Sequence, residues 1–409
     1  MRNKKHIIAI ATIMMMATAV ALPAVADNFD GADVGGETFR VATLNVDGMP
    51  STILFFDANT NGPGTKYTPL LSEYLAKMNV DFIGVQEDFN YDEELDTYLT
   101  DDYDHDEWSG GILTTTGQMG WGNLKFPCDG LKAYWKKGMT LGSYNRVAWK
   151  ESYGKFDHAW DDFVTKGFRH YQFRLPGGHE VEVYNMHMDA TDMEASYSDE
   201  PDRAVRLSQW RELRNYILDR MADRPIVVLG DFNTFYARDD VKRAFIDSIQ
   251  STRRATVGDV WIELDCDGFY PELREDDEGW WGAPGEKLDK VLYINPVGAP
   301  RLVPTGVTIH YDCGKLPDGS SFGDHHPVSA TFRIEEAVPG DLNGDGTTDV
   351  GDIMAIINYM ARLSAEAPVP DGSPEGIPAT PSPYDLNGDG AIDVGDVMVI
   401  INLMTGRDE

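Results

Sequence analysis

The sequence predicts an α/β fold, because segments with the periodicity of strands alternate with segments that have helical spacing. Residues 38–45 alternate as a strand with one buried face does, and residues 67–79 have the spacing of an amphipathic helix. That helix leads directly into an apolar strand over 80–87. A further helix over 203–221 precedes a branched apolar strand over 225–229. Polar residues follow these strands, so we expect the functional site at the strand ends.

The length and composition indicate a globular protein of two or more domains. The chain has 409 residues, of which 42% are apolar and 11% aromatic. Its formal net charge of −33 repels bare polyanions, which counts mildly against broad binding of nucleic acids. Cys128, Cys266 and Cys313 allow one disulfide at most, and their spacing does not choose the pair.

The N-terminus has the organisation of a secretory signal peptide over residues 1–26. Cations near the start precede an uncharged run over 7–22, and the small-residue pattern Ala24-Val25-Ala26 follows. We expect cleavage after Ala26 and a secreted, extracellular protein. A retained N-terminal anchor is the alternative.

The strand over 225–229 ends on Gly230-Asp231-Phe232-Asn233, which places polar groups at the edge of a buried strand. A buried carboxylate without a partner is costly, so Asp231 should face a metal-bound water, a donor that orients a phosphate, or a histidine. An Asp-x-Asn turn that only closes the strand is the alternative for Asp231 and Asn233.

Other strands end in the same way. Asn45 and Asp47 lie at the end of the first strand, and Glu87 ends the second, where it is either a ligand or a surface residue. His187 ends a strand over 181–187, a position at which a lone histidine is more often structural than catalytic. Strands predicted over 287–294 and 327–334 add Asp289 and the segment Gly323-Asp324-His325-His326.

These residue types suit the hydrolysis of a phosphate ester. Oxygen atoms of Asn, Asp and Glu are the ligands that Mg²⁺ or Mn²⁺ prefers. Histidines beside such an ion supply a base and a proton donor near neutral pH. The ion would neutralise charge that develops on the phosphoryl oxygens while an activated water attacks in line.

Six short motifs over residues 38–334 occur in the order found in the endonuclease/exonuclease/phosphatase superfamily, which this region resembles. The resemblance implies a metal-dependent phosphoesterase with a four-layer αββα sandwich of the deoxyribonuclease I-like type. The motifs are Leu44-Asn45-Val46-Asp47-Gly48, Val85-Gln86-Glu87, Asn185-Met186-His187, Gly230-Asp231-Phe232-Asn233, Leu288-Asp289-Lys290 and Asp324-His325-His326-Pro327-Val328.

The resemblance also implies a role for each site residue. Glu87 would be the principal metal ligand with Asn45 beside it, and Asp47 and Asp324 would be further ligands. Asp231 and Asn233 would position the attacking water and the phosphate. His325, oriented by Asp289, would act as base or acid, and His187 would stabilise the transition state.

Within the superfamily, the chain is most similar to secreted bacterial neutral sphingomyelinases. The similarity lies in Lys166-Gly167-Phe168, in the segment 184–190 and in Asp129-Gly130-Leu131. It implies a sphingomyelin-like phospholipid as substrate, with release of phosphocholine. An extracellular endonuclease and a non-catalytic binding subunit attached to a scaffold are the alternatives.

The chain departs from the bacterial sphingomyelinases in the region of their aromatic membrane hairpin. Residues 306–323 contain only Tyr311 and Phe322 as aromatic side chains. Trp280-Trp281 could replace the hairpin in a transient contact with a membrane surface, because indole side chains favour the headgroup zone. The alternative is that this tryptophan pair belongs to loops that cover the sandwich.

The C-terminal region contains two copies of a calcium loop, each followed by an apolar helix, predicted over 353–363 and 397–404. The ligand positions are Asp341, Asn343, Asp345, Thr347, Asp349 and Asp352 in the first loop, and Asp385, Asn387, Asp389, Ala391, Asp393 and Asp396 in the second. Thr347 and Ala391 would each supply a backbone carbonyl.

This EF-hand-like repeat resembles a type I dockerin, which implies two bound Ca²⁺ and a cohesin module as partner, on the scaffold of a cellulosome-like complex. Calcium loops that only stabilise a domain are the alternative. The chain would then consist of a signal peptide over 1–26, a catalytic domain over 27–337 and a dockerin over 338–409.

Overall fold

The structure is a computed structural model, and the residues it describes belong to one compact unit within 31–409. The signal peptide, Trp280-Trp281 and most of the proline-rich connector 367–383 lie outside the described residues. Within the described ranges, no helix combines the length and apolarity needed to cross a bilayer. The described ranges are 36–53, 56–57, 59, 62–112, 125–154, 158–190, 200–274, 284–315, 323–364 and 383–406.

Two mixed sheets of six strands each form the α/β domain, beside a short hairpin of β2 (Thr52–Ile53) and β3 (Phe56–Asp57). The first sheet has the strand order β13-β14-β1-β4-β6-β5. Its strands are β1 (Thr38–Asn45), β4 (Phe82–Gln86), β5 (Tyr103–His105), β6 (Lys132–Lys136), β13 (Arg301–Ile309) and β14 (Val328–Glu335).

The second sheet has the order β11-β12-β10-β9-β8-β7. Each sheet contains one parallel pair, β1 with β4 in the first and β9 with β10 in the second. The carboxyl ends of a parallel pair meet at one sheet edge, so each sheet presents two strand ends together. The strands of the second sheet are β7 (Thr140–Ala148), β8 (Gly167–Arg174), β9 (Glu180–His187), β10 (Ile226–Asp231), β11 (Ala255–Asp259) and β12 (Asp289–Pro296).

Helices cover the outer faces of both sheets. The helices are α1 (Gly64–Met78), α2 (Asp92–Leu99), α3 (Glu200–Arg220), α4 (Asp247–Gln250) and α5 (Val260–Leu264). Trp210, Leu213 and Ile217 of α3 pack on the second sheet, whereas Asp96 of α2 accepts a hydrogen bond from Tyr134 of the first. Apolar side chains of both sheets fill the space between them. These four layers confirm the predicted αββα sandwich.

The C-terminal region folds around its own small apolar core. Helices α6 (Val350–Ser364) and α7 (Val394–Thr405) each begin about one turn earlier than predicted. Asp393 explains the early start of α7, because its side chain caps the helix in a capping box with Asp396. The core consists of Leu342, Ala355, Ile356, Tyr384 and Ile400.

Other elements differ modestly from their predicted bounds. Helix α1 begins at Gly64 rather than at residue 67, because Thr68 Oγ1 donates to the Gly64 carbonyl and extends the first turn. Strand β13 was not predicted, since its side chains alternate only weakly in burial. Cys266 and Cys313 are free thiols, so neither forms the disulfide that the cysteine count allowed.

Candidate active site

The two parallel strand pairs bring the site residues to one edge of the sandwich. Asn45 at the end of β1 is in register with Gln86 at the end of β4. Asp231 at the end of β10 is in register with His187 at the end of β9. Polar residues from both sheets therefore face each other across the domain.

Asn185 links the two sheets directly behind this edge. Its Nδ2 donates to the carbonyls of Val85 and Lys132, at 3.0 and 2.9 Å, and its Oδ1 accepts from Gln86 Nε2 at 2.7 Å. The side chain is fully buried, so these bonds satisfy an amide that would otherwise be costly to desolvate. The distance between the two sheet edges is fixed by this contact.

Asn45 joins carboxylates from the two sheets. Its Nδ2 donates to Glu87 Oε1 at 3.0 Å and to Asp231 Oδ2 at 3.1 Å. Its Oδ1 accepts from the backbone N–H of Asp47 at 3.0 Å. Asn45, Asp47, Glu87 and Asp231 are therefore neighbours, although 186 residues separate the first from the last.

Several of these residues occupy a strained backbone conformation. Asp47, Glu87 and Asn233 have φ angles of 50°, 59° and 47°, in the left-handed region that non-glycine residues rarely adopt. Gly230 has φ 145°, and a Cβ at this position would lie 2.0 Å from the Met186 carbonyl oxygen. The chain turns sharply at each strand end, which is the kind of strain that functional sites retain.

The oxygen cluster around Glu87 has more negative charge than its neighbours can balance. Burial, together with Glu87 and Asp324, raises the pKa of Asp47 to about 7, although Asn59 donates a hydrogen bond to it. Burial also raises the pKa of Glu87. A divalent cation would relieve both effects, so Asn45, Asp47, Glu87 and the exposed Asp324 fit a site for a hard metal ion.

His325 lies close to three carboxylates. Its Nδ1 lies 2.7 Å from Asp289 Oδ2, and its Nε2 lies 3.7 Å from Asp231 Oδ2 and 3.8 Å from Asp324 Oδ1. Burial opposes its charge, but Asp289 and Asp231 outweigh burial and raise the pKa of His325 well above its ordinary value. The neighbouring His326 instead packs edge-on against Tyr311.

His187 has the opposite electrostatic environment. Its Nε2 lies 3.5 Å from Asp231 Oδ2 and 3.8 Å from Glu87 Oε1, and it accepts a hydrogen bond from Lys166 Nζ at 3.1 Å. Burial and the charge of Lys166 hold the pKa of His187 well below its ordinary value. His187 is therefore neutral, and the positive charge beside it belongs to Lys166.

Lys166 is a site residue to which the sequence assigned no role. It was noted only within Lys166-Gly167-Phe168, as part of a family similarity. The structure places its ammonium group in an ion pair with Asp161, whose Oδ2 accepts from the Ala190 N–H at 2.6 Å. A lysine directly before a core strand was the available signal, but its partner Asp161 could not be read from spacing alone.

The remaining predicted residues join the same cleft. Asn233 donates from its backbone N–H to Asp231 Oδ1 at 3.0 Å and from Nδ2 to the Met188 carbonyl at 3.1 Å. Asp231, Asp289 and His325 each place one ligand atom within 4.8 Å of the others, so these three could also hold an ion. Because Asp289 already bonds His325, we expect the metal on the Glu87 side. The structure thus gathers all nine predicted residues, whose individual roles remain predictions.

Both C-terminal loops turn at their sixth position through a glycine with positive φ, 91° at Gly346 and 84° at Gly390, as expected of calcium loops. In the first, Asp352 Oδ1 accepts from the N–H groups of Leu342 and Asn343. In the second, Asp396 Oδ1 accepts from the equivalent N–H groups, and the buried Asp385 Oδ1 has no hydrogen-bond partner among the described residues. These oxygen donors fit Ca²⁺.

Comparison with known families supports both parts of this description. A model of the endonuclease/exonuclease/phosphatase family matches residues 42–325, and a model of the dockerin type I domain matches residues 339–405. Sphingomyelinases of Mycobacterium tuberculosis and Mycobacterium bovis are 30% identical to this chain over 176 residues. The match covers 42% of this chain and 32% of the relatives, so the chain spans about a third of their length.

Solved structures with a similar fold are more distant in sequence. A humanized Danio rerio TDP2 is 16% identical with a TM-score of 0.49, and covers 72% of this chain and 99% of its own. An endonuclease/exonuclease/phosphatase from Bacteroides vulgatus is 16% identical with a TM-score of 0.45, over 73% and 100%. A beta toxin from Staphylococcus aureus is 14% identical with a TM-score of 0.44, over 71% and 99%. The family match over most of the sandwich shows that this chain belongs to the endonuclease/exonuclease/phosphatase family and ends in a dockerin type I domain.

Proposed function

We propose that the chain is a secreted, divalent-metal-dependent phosphodiesterase that releases phosphocholine from sphingomyelin-like phospholipids, and that its dockerin attaches it to a cohesin module. One observation carries the catalytic part of the proposal. Asp231 is flanked by two histidines of opposite electrostatic character, at 3.5 and 3.7 Å, beside a cluster of oxygen ligands. A cleft used only for binding has no need of this combination.

Glu87, Asn45 and Asp47, with Asp324 at the exposed side, would hold Mg²⁺ or Mn²⁺. When bound, the ion neutralises charge on the phosphoryl oxygens and orients the phosphate. Asp47 and Glu87 both occupy left-handed turns at strand ends, and the charge of Glu87 helps to raise the pKa of Asp47, which supports this assignment.

The proton transfers fall to Asp231 and His325. Asp231 is ionised, because the positive charge of His325 and the hydrogen bond from Asn45 overcome its burial and lower its pKa, so it can accept the proton of the attacking water. His325 is positively charged and can donate its Nε2 proton to the leaving alcohol oxygen as the P–O bond breaks. The proton would then return from Asp231 to His325 through a bridging water, because their 3.7 Å separation is longer than a hydrogen bond.

Four further residues orient the proton-transfer groups or stabilise the phosphoryl group. Asp289 holds His325 by its Nδ1, so that the Nε2 faces the cleft. The backbone N–H of Asn233 orients Asp231. His187 accepts a hydrogen bond from Lys166 and so keeps the ammonium group beside Glu87 and Asp231, where it stabilises negative charge on the phosphoryl group.

The mycobacterial relatives, which are named sphingomyelinases, support the choice of substrate. The strongly negative formal charge of the chain also disfavours a polyanionic substrate. Both arguments bear only on which phosphodiester the enzyme prefers. The proposed roles of the catalytic residues do not depend on them. A nuclease would use the same residues, so the substrate must be tested directly.

The substrate test compares sphingomyelin liposomes with plasmid DNA, each with Mg²⁺, with EDTA, and with EGTA plus excess Mg²⁺. The EGTA arm removes calcium from the dockerin and leaves magnesium available, which separates the two metal requirements. We expect phosphocholine release with Mg²⁺ and with EGTA plus Mg²⁺, and none with EDTA. Nicking of DNA without release of phosphocholine would show that the substrate is a nucleic acid rather than a phospholipid. Turnover that survives EDTA would exclude the metal-dependent mechanism.

The cohesin test measures binding of purified type I cohesin modules to the full chain, with and without calcium. We expect binding only with calcium, because the loops need the ions to balance their carboxylates. Failure to bind any cohesin from a broad panel would favour the alternative that the loops only stabilise the domain.

A further inference from the structure

The two calcium loops have nearly the same sequence but different surroundings. Residues 341–352 and 385–396 differ only at Thr347/Ala391 and Thr348/Ile392. The hydrogen bonds that Asp352 and Asp396 accept from the backbone of their loops are equivalent. Any difference in calcium affinity must therefore come largely from outside the loops.

The first loop packs against the catalytic domain. A Cβ on Gly344 would lie 2.7 Å from Thr256 Cγ2, and one on Gly346 would lie 2.2 Å from Arg301 Nη1. At the equivalent Gly388 and Gly390, a Cβ would meet no described atom within 4 Å outside the immediate chain neighbours. Among the described residues, the catalytic domain therefore contacts the first loop at Gly344 and Gly346, whereas the second loop has no such contact at Gly388 and Gly390.

Apolar and polar contacts join the dockerin to a surface of the catalytic domain, which we call the seat. Val297, in the turn after β12, packs against the dockerin core that contains Leu342 and Tyr384. Tyr384 also donates from its hydroxyl to the Arg253 carbonyl at 2.8 Å. The seat therefore combines three residues from different parts of the sandwich, Arg253, Val297 and Arg301.

Arg301 brings a positive charge to the first loop. Its Nη1 lies 3.7 Å from Oδ2 of Asp341, the residue at ligand position 1. Both Asp341 oxygens already accept hydrogen bonds from the loop backbone, Oδ1 from Gly344 and Asp345 and Oδ2 from Gly346. The equivalent Asp385 accepts one such bond, on Oδ2, and its buried Oδ1 has no hydrogen-bond partner among the described residues.

We propose that the catalytic domain serves as an internal partner of its own dockerin, and that Arg301 makes the first calcium loop the weaker of the two. A calcium ion bound by Asp341 would lie close to the guanidinium group and be repelled by it. The side-chain ligands of the two loops are identical, so we expect this repulsion, rather than the additional backbone hydrogen bonds at Asp341, to set the order of affinity. Because coupling is reciprocal, calcium in the first loop weakens the contact of Arg301 with Asp341 and loosens the seat.

The experiment titrates calcium into the full chain by calorimetry, with one loop disabled at a time. Asp385→Ala leaves only the first loop and Asp341→Ala only the second, and circular dichroism checks that each variant folds. We expect the first loop to bind calcium about tenfold more weakly, and Arg301→Gln to strengthen the first loop about fivefold or more while leaving the second unchanged. Arg333→Gln is the matched control, because it removes an arginine charge from the adjacent strand β14, where Arg333 pairs with Glu335.

The same difference in calcium affinity must appear in the chain with both loops intact. In that chain, Arg301→Gln should bring the affinities of the two binding steps closer together. Equal affinities in the unsubstituted chain, or an Arg301→Gln effect that is absent or equal in both loops, would overturn the proposal. Absence of calcium binding at either loop would overturn the calcium assignment and this proposal with it. None of these results would bear on the proposed release of phosphocholine.

Discussion

His187 and His325 both lie close to Asp231 Oδ2 and differ in charge. Their Nε2 atoms are 3.5 and 3.7 Å from Asp231 Oδ2, so distance does not distinguish them. His325 is bonded to Asp289, whereas His187 is bonded to Lys166, and the pKa values of the two imidazoles shift in opposite directions as a result. The comparison shows that the second partner of a histidine decides its role more than the group it faces.

Asp231→Asn should have the largest effect, because it removes the group that both histidines share. We expect kcat to fall about 10³-fold, since the amide can neither accept the proton of water nor return it to His325. The assay is phosphocholine release from sphingomyelin liposomes, and Asp239→Asn, at a surface ion pair with Arg243, is the control. Equal losses in the two variants would show that Asp231 has no special role.

His325→Ala removes the charged member of the pair. We expect kcat to fall about 10²-fold or more with an unchanged melting temperature. His326→Ala is a close control, because it deletes the next imidazole, which contacts Tyr311 rather than Asp289. If His326→Ala were the damaging variant, the assignment of the proton donor would be wrong.

Lys166→Met removes the charge associated with the neutral histidine. We expect a fall in kcat of about tenfold, smaller than the full loss of a preorganised donor because Asp161 already offsets part of the charge. Lys150→Met provides the control, since Lys150 is exposed and pairs only loosely with Glu212, at 3.7 Å. A normal rate in Lys166→Met would mean that the ammonium group takes no part in turnover.

Trp149→Phe should have the smallest effect. The Trp149 Nε1–H donates to the His187 carbonyl at 2.7 Å, and its loss should lower the free energy of unfolding by about 1 kcal/mol. The rate should change little, because the His187 side chain keeps its contact with Lys166. Urea denaturation and the liposome assay together check this prediction; a large rate loss without destabilisation would contradict it.

The sequence predicted the parts of this site that depend on local pattern. Asp231 and Glu87 each end an apolar strand, so a polar residue at each strand end could be expected, although the two strands belong to different sheets. The pairing of His325 with Asp289 was available only through the resemblance to a known family.

Contacts between distant strands could not be predicted from the sequence. Asn185 was noted as part of a motif, but its role in joining the two sheets depends on the packing of β4, β6 and β9. Lys166 acquires its role through its contacts with Asp161 and His187. The seat of the dockerin likewise depends on Val297 and Arg301, which contact a distant part of the chain. No periodicity marks such residues, because their partners lie on other elements.

The central claim is that Glu87 and its neighbours hold a divalent ion against a phosphate group. The most direct measurement is the rate of phosphocholine release against Mg²⁺ concentration, in EGTA, for the unsubstituted chain and for Glu87→Gln. We predict a rate that depends on Mg²⁺ and a Glu87→Gln variant that requires at least about tenfold more Mg²⁺ or has no measurable rate. A rate that is independent of Mg²⁺, or equal Mg²⁺ dependence in the two proteins, would contradict the account.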